Sequence, residues 1–127
     1  MTKKLTAAKE RFLQQYIGLL EEVEPSLTFV IECYEQGDGD IGERLLRKVL
    51  EGIAPYDEQN MTMVSIFGQA EADMEVLAAY QNVIYVASNM EEELGDEWSP
   101  GAYMRDVFLP THKKWMKRVE GKLKELE

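Results

Sequence analysis

The sequence predicts an all-α fold, an antiparallel four-helix bundle with a short second helix and proline bends in helices 1 and 4. Three observations point there. Apolar residues recur at steps of three and four over long stretches, the period of one helical face. Glycine, proline and capping residues divide the chain into four such stretches, and their short connections make sequential helices antiparallel neighbours. No segment alternates apolar and polar residues as a half-buried strand would. With 127 residues, 45% of them hydrophobic, residues 1–127 suffice for a single helical-bundle domain with its own core.

The first stripe comprises Leu5, Ala8, Phe12, Tyr16, Leu20, Val23, Leu27, Val30 and Tyr34. It keeps its phase through Pro25, so residues 5–36 are expected to form one kinked helix rather than two meeting near Glu24. This holds even though an interior proline costs about 3 kcal/mol. Gly37, Asp38 and Gly39 end it, because glycine tolerates the left-handed geometry of many helix ends. Asp40 is placed to cap the second helix, with Ile41, Leu45, Val49 and Ile53 as its buried face and Leu46 and Leu50 widening that face. Ala54, Pro55 and Tyr56 close it.

Asp57 then caps a third, long helix whose stripe is Val64, Phe67, Ala70, Met74, Leu77, Ile84 and Ala87 and which reaches about Leu94. Gly68 is its weak point, at roughly 1 kcal/mol relative to alanine. The turn from Val83 to Ala87 is apolar all round and is expected to be covered on every side, either by the short second helix and the bent last helix or by another subunit. Gly95 closes the helix. Ser99 as cap, with Pro100 at the first helical position, opens the fourth, carried by Met104, Phe108, Trp115, Val119, Leu123 and Leu126. Pro110 interrupts this stripe and predicts a bend or a split.

Charge narrows the function. Fourteen Lys and Arg against 24 Asp and Glu give a formal net charge of -10, which opposes both phosphate backbones and anionic lipid headgroups. Neither nucleic acid nor membrane is therefore expected as a partner. No apolar run approaches the roughly 20 residues of a spanning helix. Lys3 and Lys4 lead into Lys9, Glu10 and Arg11 instead of a secretory core. The lone Cys33 reads as a small buried residue and, being unable to pair within the chain, fits a cytoplasmic setting.

Residues 61–97 hold no Lys or Arg but eight acids, Glu71, Asp73, Glu75, Glu91, Glu92, Glu93, Asp96 and Glu97. The tail from Trp98 holds seven bases, among them Lys113, Lys114, Lys117 and Arg118. Antiparallel packing would pair these last four with the earlier acids. Glu91, Glu92 and Glu93 would oppose the dipole at a helix C-terminus by roughly 0.3 to 1 kcal/mol each, which marks them as candidate partner-binding residues. Trp98, in a polar loop, joins them as a candidate aromatic anchor, and Tyr85 as the residue of the all-apolar turn that needs a cover. The seven methionines are expected mainly to fill core gaps.

Catalytic motifs fail one by one. Gly37-Asp38-Gly39-Asp40-Ile41-Gly42 spells the glycine pattern of a dinucleotide site, but a helix precedes it and two aspartates would repel a pyrophosphate. As a calcium loop the same stretch has Glu43 where glycine is needed and Val49 where the bidentate ligand belongs. A single histidine, His112, excludes di-iron and multi-histidine zinc sites, and beside Lys113 and Lys114 it reads as a surface or boundary residue. No catalytic, cofactor-binding or metal-ligating residue is assigned, and no cofactor is expected.

All-helical nucleotide pyrophosphohydrolases hold Mg²⁺ with Glu-x-x-Glu followed by Glu-x-x-Asp, and Glu21-x-x-Glu24, Glu32-x-x-Glu35, Glu35-x-x-Asp38 and Glu93-x-x-Asp96 offer such pairs. Glu24 abuts Pro25 and Asp38 lies in a turn, so the pairs do not share a rigid face and establish no family resemblance. The expected role is a non-enzymatic, acidic, protein-binding bundle, an adaptor, chaperone or regulator, with a protein partner or itself as ligand. The alternative is a Mg-dependent nucleotide phosphohydrolase with Glu/Asp ligands, and a third option is a small-molecule sensor with an apolar cavity between helices. Truncating Leu77 or Ile84 to alanine is expected to lower stability by roughly 2 to 5 kcal/mol in denaturant unfolding, and a loss below about 1 kcal/mol contradicts the assigned phase.

Overall fold

The computed structural model describes residues 2–127, with side chains from residue 6 onward; Leu5 of the first stripe lies outside the described side chains. Helix α1 (Thr2–Glu35) runs unbroken through Pro25, as the continuous stripe predicts. Its core face is Leu13, Tyr16, Leu20, Val23, Leu27 and Val30. Pro25 stands on the exposed side, where water can satisfy the carbonyl that its missing N–H leaves free. Next to it the Ser26 and Thr28 hydroxyls donate to the carbonyls of Glu22 and Glu24 at 3.4 and 3.3 Å. Gly37 then turns the chain at φ +86°, and the Asp38 amide closes on the Cys33 carbonyl at 2.8 Å.

Helix α2 (Gly39–Ile53) is rotated from its expected face. Gly42, Leu46, Leu50 and Ile53 are buried, Leu45 and Val49 are half-buried, and Ile41 is 53% exposed. Gly42 explains the rotation. A Cβ at this position would stand 3.1 Å from Cys33 Cβ and 3.3 Å from the Val30 carbonyl oxygen, so α2 presses its bare backbone against α1. Asp40 lies in the first turn and is not the cap; Asp38 precedes the helix and makes no side-chain cap bond.

The long third helix is divided. Asp57 caps no helix but folds a turn, its Oδ1 accepting from the Gln59 and Asn60 amides at 2.9 and 3.0 Å. Asn60 caps α3 (Met61–Phe67), accepting from Thr62 and Met63. At Gly68 the chain leaves the helix in a fold so tight that a Cβ would lie 2.5 Å from the Val64 carbonyl oxygen. Helix α4 (Glu71–Ser88) follows, then a break at Asn89 and the single turn α5 (Met90–Glu93). Leu77 is buried as expected, but Ile84 is only half-buried, so truncating Ile84 removes less packing than truncating Leu77.

Ser99 and Pro100 open the last stretch as predicted, the Ser99 hydroxyl accepting from the Ala102 amide at 3.3 Å. Helix α6 (Pro100–Tyr103) passes through a π turn (Met104–Phe108) into α7 (Leu109–Leu126). Pro110 therefore does not split the helix. The Leu109 amide bonds the Met104 carbonyl, one residue wider than the α step, and this widened turn accommodates the proline that follows. Thr111 Oγ1 donates to the Val107 carbonyl at 2.8 Å on the next turn.

α1 packs against both α2 and α7, α7 packs against α4, and α2 meets α4 only slightly. This order of neighbours is compatible with a four-helix bundle, and no strand occurs among the described residues. Trp115 sits at the centre of the core, its ring 5.0 Å from Phe67, 6.3 Å from Tyr80 and 6.4 Å from Tyr16. One substitution type should have opposite effects at two glycines. Gly42→Ala is expected to destabilise by about 1 kcal/mol or more through crowding of α1. Gly18→Ala, in mid-helix with no atom within 4 Å of the added carbon, should stabilise by about 0.5 to 1 kcal/mol. Urea midpoints that move in the same direction for both would contradict the close crossing.

Candidate functional site

The side of the bundle where α2 and α4 barely touch holds a cleft of about 710 Å³. Local sequence builds each wall. Along α2 the buried Leu46 and Leu50 face it, with the exposed Ala54 at the helix end. Opposite, Asn89 leaves helical geometry at φ -136° and ψ 42°, its side-chain amide donating to the Tyr85 carbonyl at 3.1 Å, and ends α4. Its own carbonyl accepts from the Glu92 and Glu93 amides at 3.1 and 2.9 Å and so starts α5. Buried Ala87 and Leu94 bracket this corner and line the cleft with Met90. Gly95, at φ +56°, then reverses the chain and brings Trp98 to the mouth, its ring edge-on to Tyr103 at 6.2 Å.

The rim is charged. Glu43, Arg47 and Glu51 come from α2, and Glu91 and Glu92 from α5. Arg47 bonds Glu43 at 3.1 Å and Lys48 stands 3.9 Å from Glu51, while Glu91 and Glu92 make no ion pair among the described residues. Tyr34 closes one end, where burial, and then the nearby Glu43, raise its hydroxyl pKa above the ordinary value of 10.

Three of the five residues singled out by sequence, Glu91, Glu92 and Trp98, thus meet in one place. Glu93 does not line the cleft, and neither does Tyr85, which points outward at 58% exposure. Within one chain the second and last helices therefore do not enclose the Val83 to Ala87 turn, which is left open at Tyr85. The expected conflict between Glu91, Glu92, Glu93 and a helix dipole is also absent, because the break at Asn89 puts them in the first turn of a new helix. The α2 wall escapes a reading of sequence because its phase turns on Gly42, although Glu43, Arg47 and Glu51 at steps of four do mark a common face.

Only part of the predicted charge pairing forms. Arg118 Nε lies 2.8 Å from Asp73 Oδ1 and Lys122 Nζ 2.5 Å from Oδ2. Arg118 Nε and Asp73 Oδ2 lack hydrogen-bond partners, so these contacts act as ion pairs without hydrogen-bond alignment. Lys113, Lys114 and Lys117 are exposed and make no ion pair among the described residues. Nor do three or more His, Cys, Asp or Glu side chains gather as metal ligands among the described residues, so the Glu-x-x-Glu and Glu-x-x-Asp pairs are not brought together. Met63 and Met104 fill the core, whereas Met61 is 86% exposed.

His112 is a correction to the surface reading. It is fully buried, placed by the helical step from Phe108 to Trp115 on the core face of α7. Leu20 offers only a carbonyl, so Nε2–H donates to it at 2.9 Å, and the bare Nδ1 accepts the Tyr80 hydroxyl at 2.8 Å. Trp115 Nε1 donates to the Tyr16 hydroxyl at 2.8 Å. Burial drives the pKa of both tyrosines well above the ordinary 10 and holds that of His112 below 6.5.

A family model matches residues 11–118, most of the chain. The chain belongs to the family described as Domain of unknown function (DUF8042). The DUF8042 match runs from α1 into α7 and contains every residue of the cleft, together with His112, Tyr80 and Trp115; Lys122 lies beyond it. No curated protein and no solved structure matches the chain.

The buried imidazole gives folding a pH dependence of defined sign. Unfolded histidine takes up a proton near pH 6.5, whereas the folded one does so only at lower pH. Its contribution is therefore complete above that value and is lost as pH falls below it. Denaturant unfolding from about pH 7.5 to about pH 5.5 should show stability falling in the native chain and a flatter slope in His112→Gln. Identical slopes would mean that the imidazole is already solvated.

Proposed function

We propose that this chain is a non-enzymatic protein-binding module, an adaptor, chaperone or regulator of acidic character working in the cytoplasm. The observation that carries this reading is the open side of the bundle, where a cleft of mixed polar and apolar lining is rimmed by exposed Glu91, Glu92 and Trp98. A concavity that joins some apolar surface to exposed charged groups is what a partner can cover, and an aromatic side chain at its edge is a common anchor. Among the described residues the exposed carboxylates stand around the mouth and do not gather as a group of metal ligands. The acidic surface opposes nucleic acid and anionic lipid as ligands. A reducing compartment suits the single buried Cys33.

Ala54→Arg provides the test, since it puts a long charged side chain into the cleft from an exposed position at the end of α2. Native chain and variant are compared by light scattering for native mass and by crosslinked capture from cytoplasmic extract. The expected result is a partner, or a second copy, held by the native chain and lost by the variant. Equal capture by both, or Mg-dependent hydrolysis of nucleoside triphosphates by the purified chain, would overturn the reading.

A further inference from the structure

We infer that the occupant of the cleft is an amphipathic helix of a partner protein, apolar along one stripe and bearing Lys or Arg beside it; this rests on the protein-binding reading and gives the partner its chemistry. The first support is shape. Glu43, Arg47, Leu50 and Ala54 line the cleft from α2 at steps of four, three and four, so the concavity follows about three helical turns, roughly 17 Å. A groove of that length suits a helix that docks side chains at one-turn intervals.

The second support is the packing order. α2 is held against α1 through Gly42 and Leu46, and its approach to α4 is slight. A helix lying in the cleft would cover both walls at once and replace the helix–helix contact that this side of the bundle lacks. Half-buried Met90 and exposed Ala54 and Trp98 offer it apolar surface above a nearly closed floor of Leu46, Leu50, Ala87 and Leu94.

The third support is charge. Around the base Arg47 pairs with Glu43 and Lys48 with Glu51, while Glu91 and Glu92 make no ion pair among the described residues. An acidic helix would meet repulsion from Glu91 and Glu92, whereas Lys or Arg flanking an apolar stripe would supply the cations these two carboxylates lack. A second copy of this chain fits less well. Its α7 bears exposed Lys113, Lys114 and Lys117 but no exposed large apolar side chain to set beside Met90 and Trp98.

The test uses synthetic peptides of about 18 residues, five helical turns, labelled with fluorescein and titrated into the full chain by anisotropy. One carries leucine at helical steps with lysine elsewhere, the second has the same composition shuffled so that no stripe forms, and the third replaces lysine by glutamate. The striped Leu/Lys peptide should bind about tenfold tighter than the shuffled one, and the Leu/Glu peptide should not bind. Glu91→Gln with Glu92→Gln should weaken the striped peptide about tenfold. Glu21→Gln with Glu22→Gln, an equal charge change on the exposed side of α1, should leave it unaltered.

Equal affinity for striped and shuffled peptides, or equal losses from the two double variants, would reduce the effect to general charge attraction and overturn the inference. If the peptides fail while Ala54→Arg still abolishes capture of a partner, the occupant is not a basic helix but the protein-binding reading stands. If both experiments fail, both fall. A native mass twice that of the chain, lost in Ala54→Arg, would assign the cleft to a second copy and overturn the helix of a partner.

Discussion

The structure depends on α1 having one apolar side that two other helices share. Thirty-four residues of uninterrupted helix present Leu13, Tyr16, Leu20, Val23, Leu27 and Val30, and α2 and α7 both close on that face. Apolar burial alone would let α7 slide along this surface, because burial is non-directional. Two polar contacts fix the register: Trp115 donates to the Tyr16 hydroxyl, and His112 donates to the Leu20 carbonyl one turn further along α1. Each joins groups buried away from water, so a slip would leave donors and acceptors unsatisfied at about 1 to 3 kcal/mol apiece. The bundle is therefore specified by a few directional bonds laid over a large non-directional attraction.

From that register the open side follows. With α7 held by α1, and with α4 packed on α7, the two remaining walls, α2 and the α4–α5 corner, are left apart. Gly42 reinforces this arrangement by drawing α2 close to α1 rather than towards α4. The cleft is thus a consequence of how the core closes, and its acidic rim stands on elements whose positions are set elsewhere. Membership of the DUF8042 family covers this whole framework, since the match takes in the α1 face, Gly42, His112 and the cleft together.

The sequence made the helical architecture legible because long apolar stripes and strong stop signals agree. The uninterrupted phase through Pro25, the positive φ of Gly37 and Gly95, and the Ser99–Pro100 start are all local chemistry that a linear reading can find. What escaped it involves partners distant in sequence or groups that apolar counting does not register. Gly42 carries no side chain, yet its closeness to Cys33 and Val30 decides which face of α2 is buried. His112, with two lysines beside it, looks polar in sequence; its partners Leu20 and Tyr80 lie 92 and 32 residues away. The breaks at Gly68 and Asn89 interrupt a stripe whose phase continues, so periodicity joins what backbone geometry separates. Glu91, Glu92 and Trp98 were readable from the sequence; the α2 wall became visible only when the fold brought it opposite them.

The register of α7 on α1 is tested most directly by the exchange of the two indole N–H protons with solvent, measured by NMR on the native chain. Trp115 is fully buried and bonded to Tyr16, whereas Trp98 is 37% exposed and no hydrogen bond holds its indole among the described residues. One indole proton should exchange slowly and show a nuclear Overhauser contact to the Tyr16 ring, while the other exchanges fast. Two fast-exchanging indoles, or a protected indole with no contact to Tyr16, would contradict the shared face on which the bundle is built.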